Sequence, residues 1–290
     1  MSDKKCNICG SSDCKIFPNK FFKNILLRCQ KCGLIFVYPQ PKFSELKKIY
    51  SQNYFKNTNS NSIGYENYLE DKPHTIKTFE KRFKNIEKLY LKKGKILDLG
   101  CAMGFFLEVA ENHGWTPRGI EISNYAGNIA KERFGDKIFN GTLNEVSFPD
   151  NFFDIITMWD YFEHILNPLQ ELSRIRQFLK KDGLLILSTP DANSLSHKIF
   201  KDRWMGYKDQ EHLYYFSEKN VRILLEQSGF KVLKTERVGK YISLDLFVKR
   251  LSLYNKSLAN IFKFLISKTG LPNFSFYVNP LDIICLYAKK

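Results

Sequence analysis

The sequence contains no long apolar run and no leader-like start. Nowhere do about 18 uncharged apolar residues follow one another, which is the length that a membrane-spanning helix needs. The first residues are charged at Asp3, Lys4 and Lys5 and include no apolar stretch typical of a secretory signal. Both features predict a cytoplasmic protein without a transmembrane segment. Hydrophobic residues still make up 43% and aromatic residues 15% of the 290-residue chain, so global disorder is excluded.

Acidic residues are scarce at the two ends of the chain. Lys and Arg total 45 against 30 Asp and Glu, a net charge of +15. Residues 1–93 hold 19 basic and 8 acidic residues, residues 230–290 hold 11 and 3, and the middle of the chain holds 15 and 19. Basic ends can attract nucleic acid or an anionic membrane, but a composition that favours Lys explains the excess equally simply. Both interpretations stay open at this point.

Cysteine placement predicts a metal site near the N-terminus. Of seven cysteines, five lie in the first 32 residues, and 19 residues separate the pair Cys6 and Cys9 from the pair Cys29 and Cys32. This spacing is typical of a four-thiolate zinc ribbon, here residues 1–40, in which no coordination position is open to water. The zinc is therefore expected to be structural. A disulfide framework is the alternative, which a cytoplasmic chain disfavours.

The rest of the chain divides into a lead-in segment and a larger domain. Residues 41–93 are predicted to be a linker that ends in an amphipathic helix, because apolar residues recur at helical spacing over 75–91. Over residues 94–290, short apolar strands alternate with helices, which predicts an α/β domain with a parallel sheet. A helical insertion at 239–281 has apolar residues at 3–4 spacing with Lys between them. It is expected to rest on a membrane surface or, more simply, to cover the ligand cleft as a lid.

The first strand of this domain ends in a glycine turn without the GxGxxG pattern, which disfavours a dinucleotide ligand. Gly100 and Gly104 permit a sharp bend and the close approach of a ligand, while Asp98 can accept hydrogen bonds from a cationic group. The next strand ends at Glu121, whose carboxylate can accept both hydroxyls of a ribose. Together the two strand ends predict a nucleoside site.

These motifs resemble those of class I S-adenosylmethionine-dependent methyltransferases, in particular the ubiquinone-pathway branch. The segments that carry the resemblance are ILDLGCAMGFFL, FPDNFFDIITMWDYFEHI and DGLLILSTP. The resemblance implies a doubly wound, Rossmann-like sheet of seven mostly parallel strands, with the last strand antiparallel. It also implies that S-adenosylmethionine is bound by Asp98, Gly100, Cys101, Gly104, Glu121 and Ile122. One departure is Cys101-Ala102, which stands where other versions of the motif have a second glycine.

A run of ionisable residues after the fourth strand is the candidate catalytic segment. His164 is the candidate general base, since an imidazole titrates near neutral pH, and Asp160 and His212 are its candidate catalytic partners. Asp160-x-x-Glu163-His164 resembles the acid-x-x-Glu-His run of ubiquinone-pathway and small-RNA O-methyltransferases, and His212 resembles the histidine that completes their metal set. The resemblance implies that Mg²⁺ or Mn²⁺ bound by these four residues lowers the pKa of the acceptor hydroxyl. The alternative is that Glu163 and His164 brace a helix and His212 anchors a loop.

Three functions follow as hypotheses. The first is O-methylation of a small molecule or a glycan. The second is RNA methylation, with the ribbon and the basic flanks on the substrate and Phe21, Phe22 and Phe36 stacked on bases. The third is an interaction module that binds the cofactor without catalysis. The mildly acidic middle of the chain favours a small acceptor over RNA.

Overall fold

The structure, a computed structural model, describes residues 4–56, 67–269 and 271–290. Part of the predicted linker, residues 57–66, lies outside the described residues. The strands in the described ranges are β1 (Cys14–Phe17), β2 (Ile25–Cys29), β3 (Ile35–Tyr38), β4 (Lys95–Leu99), β5 (Thr116–Glu121), β6 (Ile138–Asn140), β7 (Phe153–Trp159), β8 (Leu179–Pro190), β9 (Tyr214–Tyr215), β10 (Lys231–Ser243) and β11 (Ser275–Lys289). The α-helices there are α1 (Phe43–Ile49), α2 (Gln52–Phe55), α3 (Lys72–Leu89), α4 (Phe105–Asn112), α5 (Asn124–Phe134), α6 (Pro168–Phe178), α7 (Leu195–Phe200), α8 (Glu218–Gln227), α9 (Leu244–Ser252) and α10 (Lys256–Thr269).

A seven-stranded sheet forms the centre of the larger domain, in the order β10-β11-β8-β7-β4-β5-β6. The strands from β8 to β6 pair in parallel, and β11 lies antiparallel between β8 and β10. All seven residues of β7 are buried, because helices cover both faces of the sheet. The predicted doubly wound sheet with an antiparallel last strand is confirmed.

Alternate residues of the central strands supply two separate cores. Ile155 belongs to a cluster with Phe83 and Phe106 of α3 and α4, whereas the next residue, Ile156, belongs to a cluster with Leu172 of α6. This division follows from the pleat, which directs successive side chains to opposite faces. The sheet therefore holds a helical layer on each side and leaves its strand ends open for a site.

The N-terminal strands are continuous with the larger domain. β1, β2 and β3 pair antiparallel, and β3 pairs in turn with β9, which lies far along the chain. The backbone N–H of Val37 donates to the carbonyl of Leu213 at 2.9 Å. A four-stranded sheet thus crosses the predicted boundary at residue 40.

The predicted helical insertion at 239–281 is partly strand. β10 extends to Ser243 and β11 begins at Ser275, and these two residues pair with each other. The helices α9 and α10 lie between them, separated at Asn255, whose side-chain oxygen accepts from the N–H of Leu258 at 3.0 Å and starts the second helix. Among the described residues, no helix is long and apolar enough to cross a membrane.

Candidate active site

A cavity of about 470 Å³ opens where β4, β5 and β7 end. The ends of β4 and β5 contribute Gly100, Glu121 and Ile122 to its lining. The opposite wall is largely aromatic and comes from α1, α2 and Tyr68, and it includes Phe43, Leu46, Tyr50, Tyr54 and Phe55. No described residue of 239–281 lines this cavity. The prediction that the insertion covers the cleft as a lid is therefore wrong, because residues of α1 and α2 line that side of the cavity instead.

The glycine turn after β4 has the sharp bend that its sequence predicts. Gly100 has φ +71°, and a Cβ there would lie 2.6 Å from the Tyr161 ring. Gly104 has φ +78° and precedes the first residue of α4, and a Cβ there would lie 2.9 Å from the Phe134 ring. A side chain at either position would be strained and would collide with an aromatic ring. Only Gly100 lines the cavity.

Glu121 is fixed at the cavity wall by two backbone donors. Its Oε2 accepts from the N–H of Ala102 and its Oε1 from the N–H of Ser123, both at 2.8 Å. Burial raises the pKa of this carboxyl. Each oxygen keeps acceptor capacity, so the carboxylate is able to receive the two hydroxyls of a ribose.

Three of the predicted cofactor residues lie behind the cavity rather than on its wall. Asp98 is buried within β4 and accepts a hydrogen bond from Oγ1 of Thr157 at 2.6 Å, which joins β4 to β7. Burial raises the pKa of Asp98 to about 8. Cys101 is packed against Gly119, and Gly104 faces α5. The structure therefore brings Gly100, Glu121 and Ile122 to the cavity and holds the other three beneath the turn.

His164 lines the cavity with a defined arrangement of its ring nitrogens. Its Nδ1 lies 2.9 Å from the carbonyl oxygen of Glu211 and 2.9 Å from the Tyr50 hydroxyl. A carbonyl only accepts, so Nδ1 carries the proton and Nε2 carries the lone pair. Burial lowers the pKa of His164 to about 4, so the ring is neutral near neutral pH.

His212 has the same arrangement and faces the same carboxylate. Its Nδ1 donates to the carbonyl of Gly206 at 3.0 Å, which leaves Nε2 as an acceptor. Nε2 of His212 and Nε2 of His164 lie 3.9 and 4.0 Å from Oε1 of Glu163. Glu163 is 1% exposed, and neither of its side-chain oxygens lies within hydrogen-bonding geometry of a donor among the described residues. Two imidazole nitrogens and one carboxyl oxygen therefore converge in a buried place.

These three side chains could hold a divalent cation. One ligand atom each of Glu163, His164 and His212 lies within 4.8 Å of the others. Metal-binding histidines commonly donate their other ring N–H to a carbonyl, as both rings do here. Burial, followed by the charge of Asp160, raises the pKa of Glu163 to about 8. The donor set fits a cation, and a bound cation would keep Glu163 ionised.

Asp160, predicted as the fourth ligand, is committed to other partners. Its carboxylate forms an ion pair with Lys240 and accepts from Oγ of Ser188 at 2.9 Å. Burial alone would raise its pKa, but the charges of Lys240 and Arg82 hold the pKa of Asp160 below its usual range. Asp160 lines the cavity without joining the three-residue cluster. Lys240 was missed by the sequence analysis, since it comes from the predicted insertion.

The four predicted zinc ligands converge as their spacing implies. The Sγ atoms of Cys6 and Cys32 lie 3.5 Å apart, as do those of Cys9 and Cys29, and all four lie within 4.8 Å of one another. A tetrahedral zinc with Zn–S distances of about 2.3 Å places its sulfurs about 3.8 Å apart. The cluster could therefore hold a zinc ion. Cys14 begins β1 outside the cluster.

The ribbon aromatics proposed for stacking on bases are mostly used in packing. Phe36 is buried in the core, and Phe22 packs edge-on against Tyr207 and Tyr215. Phe21 is exposed. This leaves one of the three rings accessible, so the RNA hypothesis gains little from them.

Comparisons with known proteins identify the domain that contains this cavity. A family described as a methyltransferase domain matches residues 68–235. The ubiquinone biosynthesis O-methyltransferase of Glaesserella parasuis is 30% identical over 115 residues, 36% of this chain and 49% of that protein. An uncharacterised protein of Methanocaldococcus jannaschii is 26% identical over 156 residues, 53% of this chain and 74% of that protein. The chain thus spans about half the length of the ubiquinone relatives it matches.

A solved structure shares the fold. The methyltransferase from Archaeoglobus fulgidus, which is S-adenosylmethionine-dependent, superposes with a TM-score of 0.53 at 18% identity, covering 77% of this chain and 99% of that one. The family match spans more than half of the chain. It favours an enzyme over a non-catalytic module. This chain belongs to the methyltransferase domain family and is a class I S-adenosylmethionine-dependent methyltransferase.

Proposed function

We propose that this enzyme methylates a hydroxyl group of a small molecule or a glycan in the cytoplasm. The observation that carries the proposal is the pair of neutral imidazoles, His164 and His212, whose Nε2 lone pairs face one buried carboxylate beside the cavity. Methylation of an amine does not need such a group once the amine is neutral. A hydroxyl must lose its proton during transfer, so a site rich in acceptors suits an oxygen nucleophile.

The walls of the cavity suit a nucleoside sulfonium on one side and an acceptor on the other. S-adenosylmethionine supplies a methyl group on a positively charged sulfur. Glu121 would accept the ribose hydroxyls, and Gly100 leaves room for the close approach of the methionine part. The aromatic side chains of α1 and α2 would keep water from the opposite wall once both ligands are bound. The acceptor would lie beside His164, where these residues hold it in line with the methyl group.

Glu163, His164 and His212 would hold a divalent cation. Of the two ions that the sequence implies, Mn²⁺ suits a set of two imidazoles and one carboxylate better than Mg²⁺, which prefers oxygen ligands. The cation would supply a lowered pKa for the acceptor hydroxyl. Without a metal, His164 Nε2 is the atom placed to take that proton, although its lowered pKa makes it a weak base.

Product analysis tests the acceptor class. The full-length protein is incubated with methyl-labelled S-adenosylmethionine and, separately, with pooled catechols and phenols, pooled sugars and glycans, and total RNA. We expect label in a hydroxyl-bearing small-molecule or glycan pool, with the methyl group on oxygen by mass spectrometry. Label confined to RNA, or a methyl group on nitrogen, would overturn the proposal.

Manganese binding tests the cation site without turnover. Electron paramagnetic resonance of the zinc-loaded protein titrated with Mn²⁺ should report binding in the wild type and its loss in Glu163→Gln. Glu171→Gln is the matched control, because Glu171 is also a buried carboxyl near the cavity but accepts a hydrogen bond from Tyr161 at 2.8 Å. Equal Mn²⁺ binding by the wild type and Glu163→Gln would show that this cluster is not a metal site.

A further inference from the structure

The helix α10 carries large apolar side chains that the protein does not bury. Of its described side chains, Ala259 alone is buried. Five of its six large apolar side chains are 39% to 62% exposed, and they are Leu258, Ile261, Phe262, Phe264 and Leu265. Single exposed apolar residues are ordinary, but a run of five on one short helix is unusual for a surface in contact with water.

Further exposed apolar residues lie near the turn that precedes this helix. The Phe200 ring of α7 lies 4.4 Å from that of Tyr254 in the turn between α9 and α10, beside the exposed Leu253. The hydroxyl of Ser196 in α7 donates to the carbonyl of Pro280 at 2.6 Å, beside the exposed Leu281. These contacts hold α7, the α9–α10 turn and β11 together. We call the five exposed side chains of α10, together with Leu253 and Phe200 at the adjoining turn, the apolar patch.

Positive charge accompanies the apolar patch. Residues 244–269 contain five basic residues and one acidic residue. The acidic residue, Asp245, is paired with Lys249 at 2.9 Å. Lys256 and Lys263 are exposed on α10 among its apolar residues. The surface therefore combines bulky apolar side chains with an excess of positive charge.

The combination of apolar and basic side chains indicates which kind of partner this surface binds. Interfaces between proteins are depleted of Lys, and a symmetric contact between two copies would bring the same basic side chains together. A helix that lies in the headgroup region of a bilayer has Leu and Phe on one part of its surface and Lys on the rest, and anionic lipids attract it. Charge complementarity thus favours a lipid surface over a second copy of the chain.

We propose that the apolar patch docks the enzyme on an anionic lipid bilayer, with α10 lying in the plane of the headgroups. Neither α9 nor α10 crosses the bilayer, since α10 has 14 residues and a helix of that length reaches only about 21 Å. The docking surface is connected to the cavity through β10. This strand carries Lys240, which pairs with Asp160 at the cavity, and it ends where α9 begins. Docking does not depend on the identity of the acceptor.

Vesicle flotation tests this proposal with the full-length, zinc-loaded protein. Vesicles of equal parts phosphatidylcholine and phosphatidylglycerol are compared with vesicles of phosphatidylcholine alone. We expect binding to the mixed vesicles, weaker binding to the neutral ones, and a loss of about tenfold or more in the double variant Ile261→Ser with Phe264→Ser. Raising the salt concentration should weaken binding, because it screens the lysines.

A matched variant separates docking from general stickiness. Ile16 and Phe21 in the ribbon are 70% and 62% exposed, against 58% and 62% for Ile261 and Phe264. The double variant Ile16→Ser with Phe21→Ser should float like the wild type. Both variants should keep the wild-type melting temperature, since all four side chains are exposed. Equal binding by the wild type and the α10 variant would overturn the proposal. The proposal would also be overturned if the wild type bound neither kind of vesicle and formed a dimer, and if the α10 variant were a monomer.

Discussion

The ribbon at the N-terminus and the α9–α10 hairpin near the C-terminus are both basic segments attached to the methyltransferase domain, yet they differ in how many of their large apolar side chains they bury. The ribbon buries Leu27, Leu34 and Phe36 in the core. The hairpin leaves most of its large apolar side chains in contact with solvent. Net charge alone therefore does not reveal what an added segment does. The burial of its apolar side chains is more informative, because buried side chains stabilise the fold around the site and exposed ones remain available to a partner.

The ribbon is connected to the cluster of Glu163, His164 and His212 by a short series of hydrogen bonds. Val37 donates to the carbonyl of Leu213, and the N–H of Leu213 donates to the carbonyl of Glu163 at 2.8 Å. The buried Asn220 donates through Nδ2 to the carbonyl of Cys32 at 2.9 Å. The four clustered cysteines of the ribbon and the histidine cluster are thus both connected to one segment of the chain, residues 213–220. No comparable series joins α10 to the cluster among the contacts of the described residues.

Loss of the zinc should have the largest effect. Cys29→Ser is expected to lower zinc from about one equivalent per chain to none, to unfold β1–β3, and to reduce turnover by about 10² or more, because β9 loses its partner. Metal analysis, labelled-methyl turnover and hydrogen exchange at Leu213 measure these effects. Cys14→Ser is the control and should change none of them. If the zinc-free variant kept the wild-type rate of hydrogen exchange at Leu213, the ribbon would not support the domain.

Removal of the His164 imidazole should have the next largest effect. His164→Ala is expected to keep the affinity for S-adenosylmethionine, measured by calorimetry, and to lower the rate by about 10²–10⁴. The reason is that the variant lacks the imidazole that would take the proton of the acceptor hydroxyl. Tyr50→Phe, which removes only the hydroxyl beside Nδ1, should lose far less. Unchanged turnover in His164→Ala would assign this residue to structure.

Removal of the Asn220 side chain should lower the stability of the protein by a moderate amount. Asn220→Ala removes the donor to Cys32 and the side-chain oxygen that caps α8 at Ser217, and it leaves a buried carbonyl without that partner. The free energy of unfolding should fall by about 1–3 kcal/mol in a denaturant titration. A change below about 0.5 kcal/mol would mean that the ribbon contact contributes little.

Substitution on the hairpin should have the smallest effect on the folded protein. Ile261→Ser with Phe264→Ser is expected to change the free energy of unfolding by less than about 0.5 kcal/mol and to leave turnover on a water-soluble acceptor unchanged, because both side chains are exposed. Denaturant titration and turnover without vesicles check this. A large destabilisation would show that α10 packs against the protein as the ribbon does.

The features that the sequence predicted well are those whose signal is local. β7 is apolar along its whole length because it is buried on both faces, and the thiolate cluster follows from CxxC spacing. The features it missed depend on distant pairing. β9 has only two residues and so no periodic pattern, although it joins the ribbon to the domain. Likewise Lys240 lies 80 residues from Asp160, and nothing near either residue indicates their ion pair.

One loop governs both imidazoles. The carbonyls of Gly206 and Glu211 each hold the Nδ1 proton of one ring, so the tautomer of His164 and that of His212 are set together by the backbone of residues 206–211. If that loop shifted, both rings would be released to move their protons to Nε2, and the two lone pairs would leave the cluster at the same time. The chemistry of two side chains is thus under the control of a peptide segment that need not itself touch the reactants.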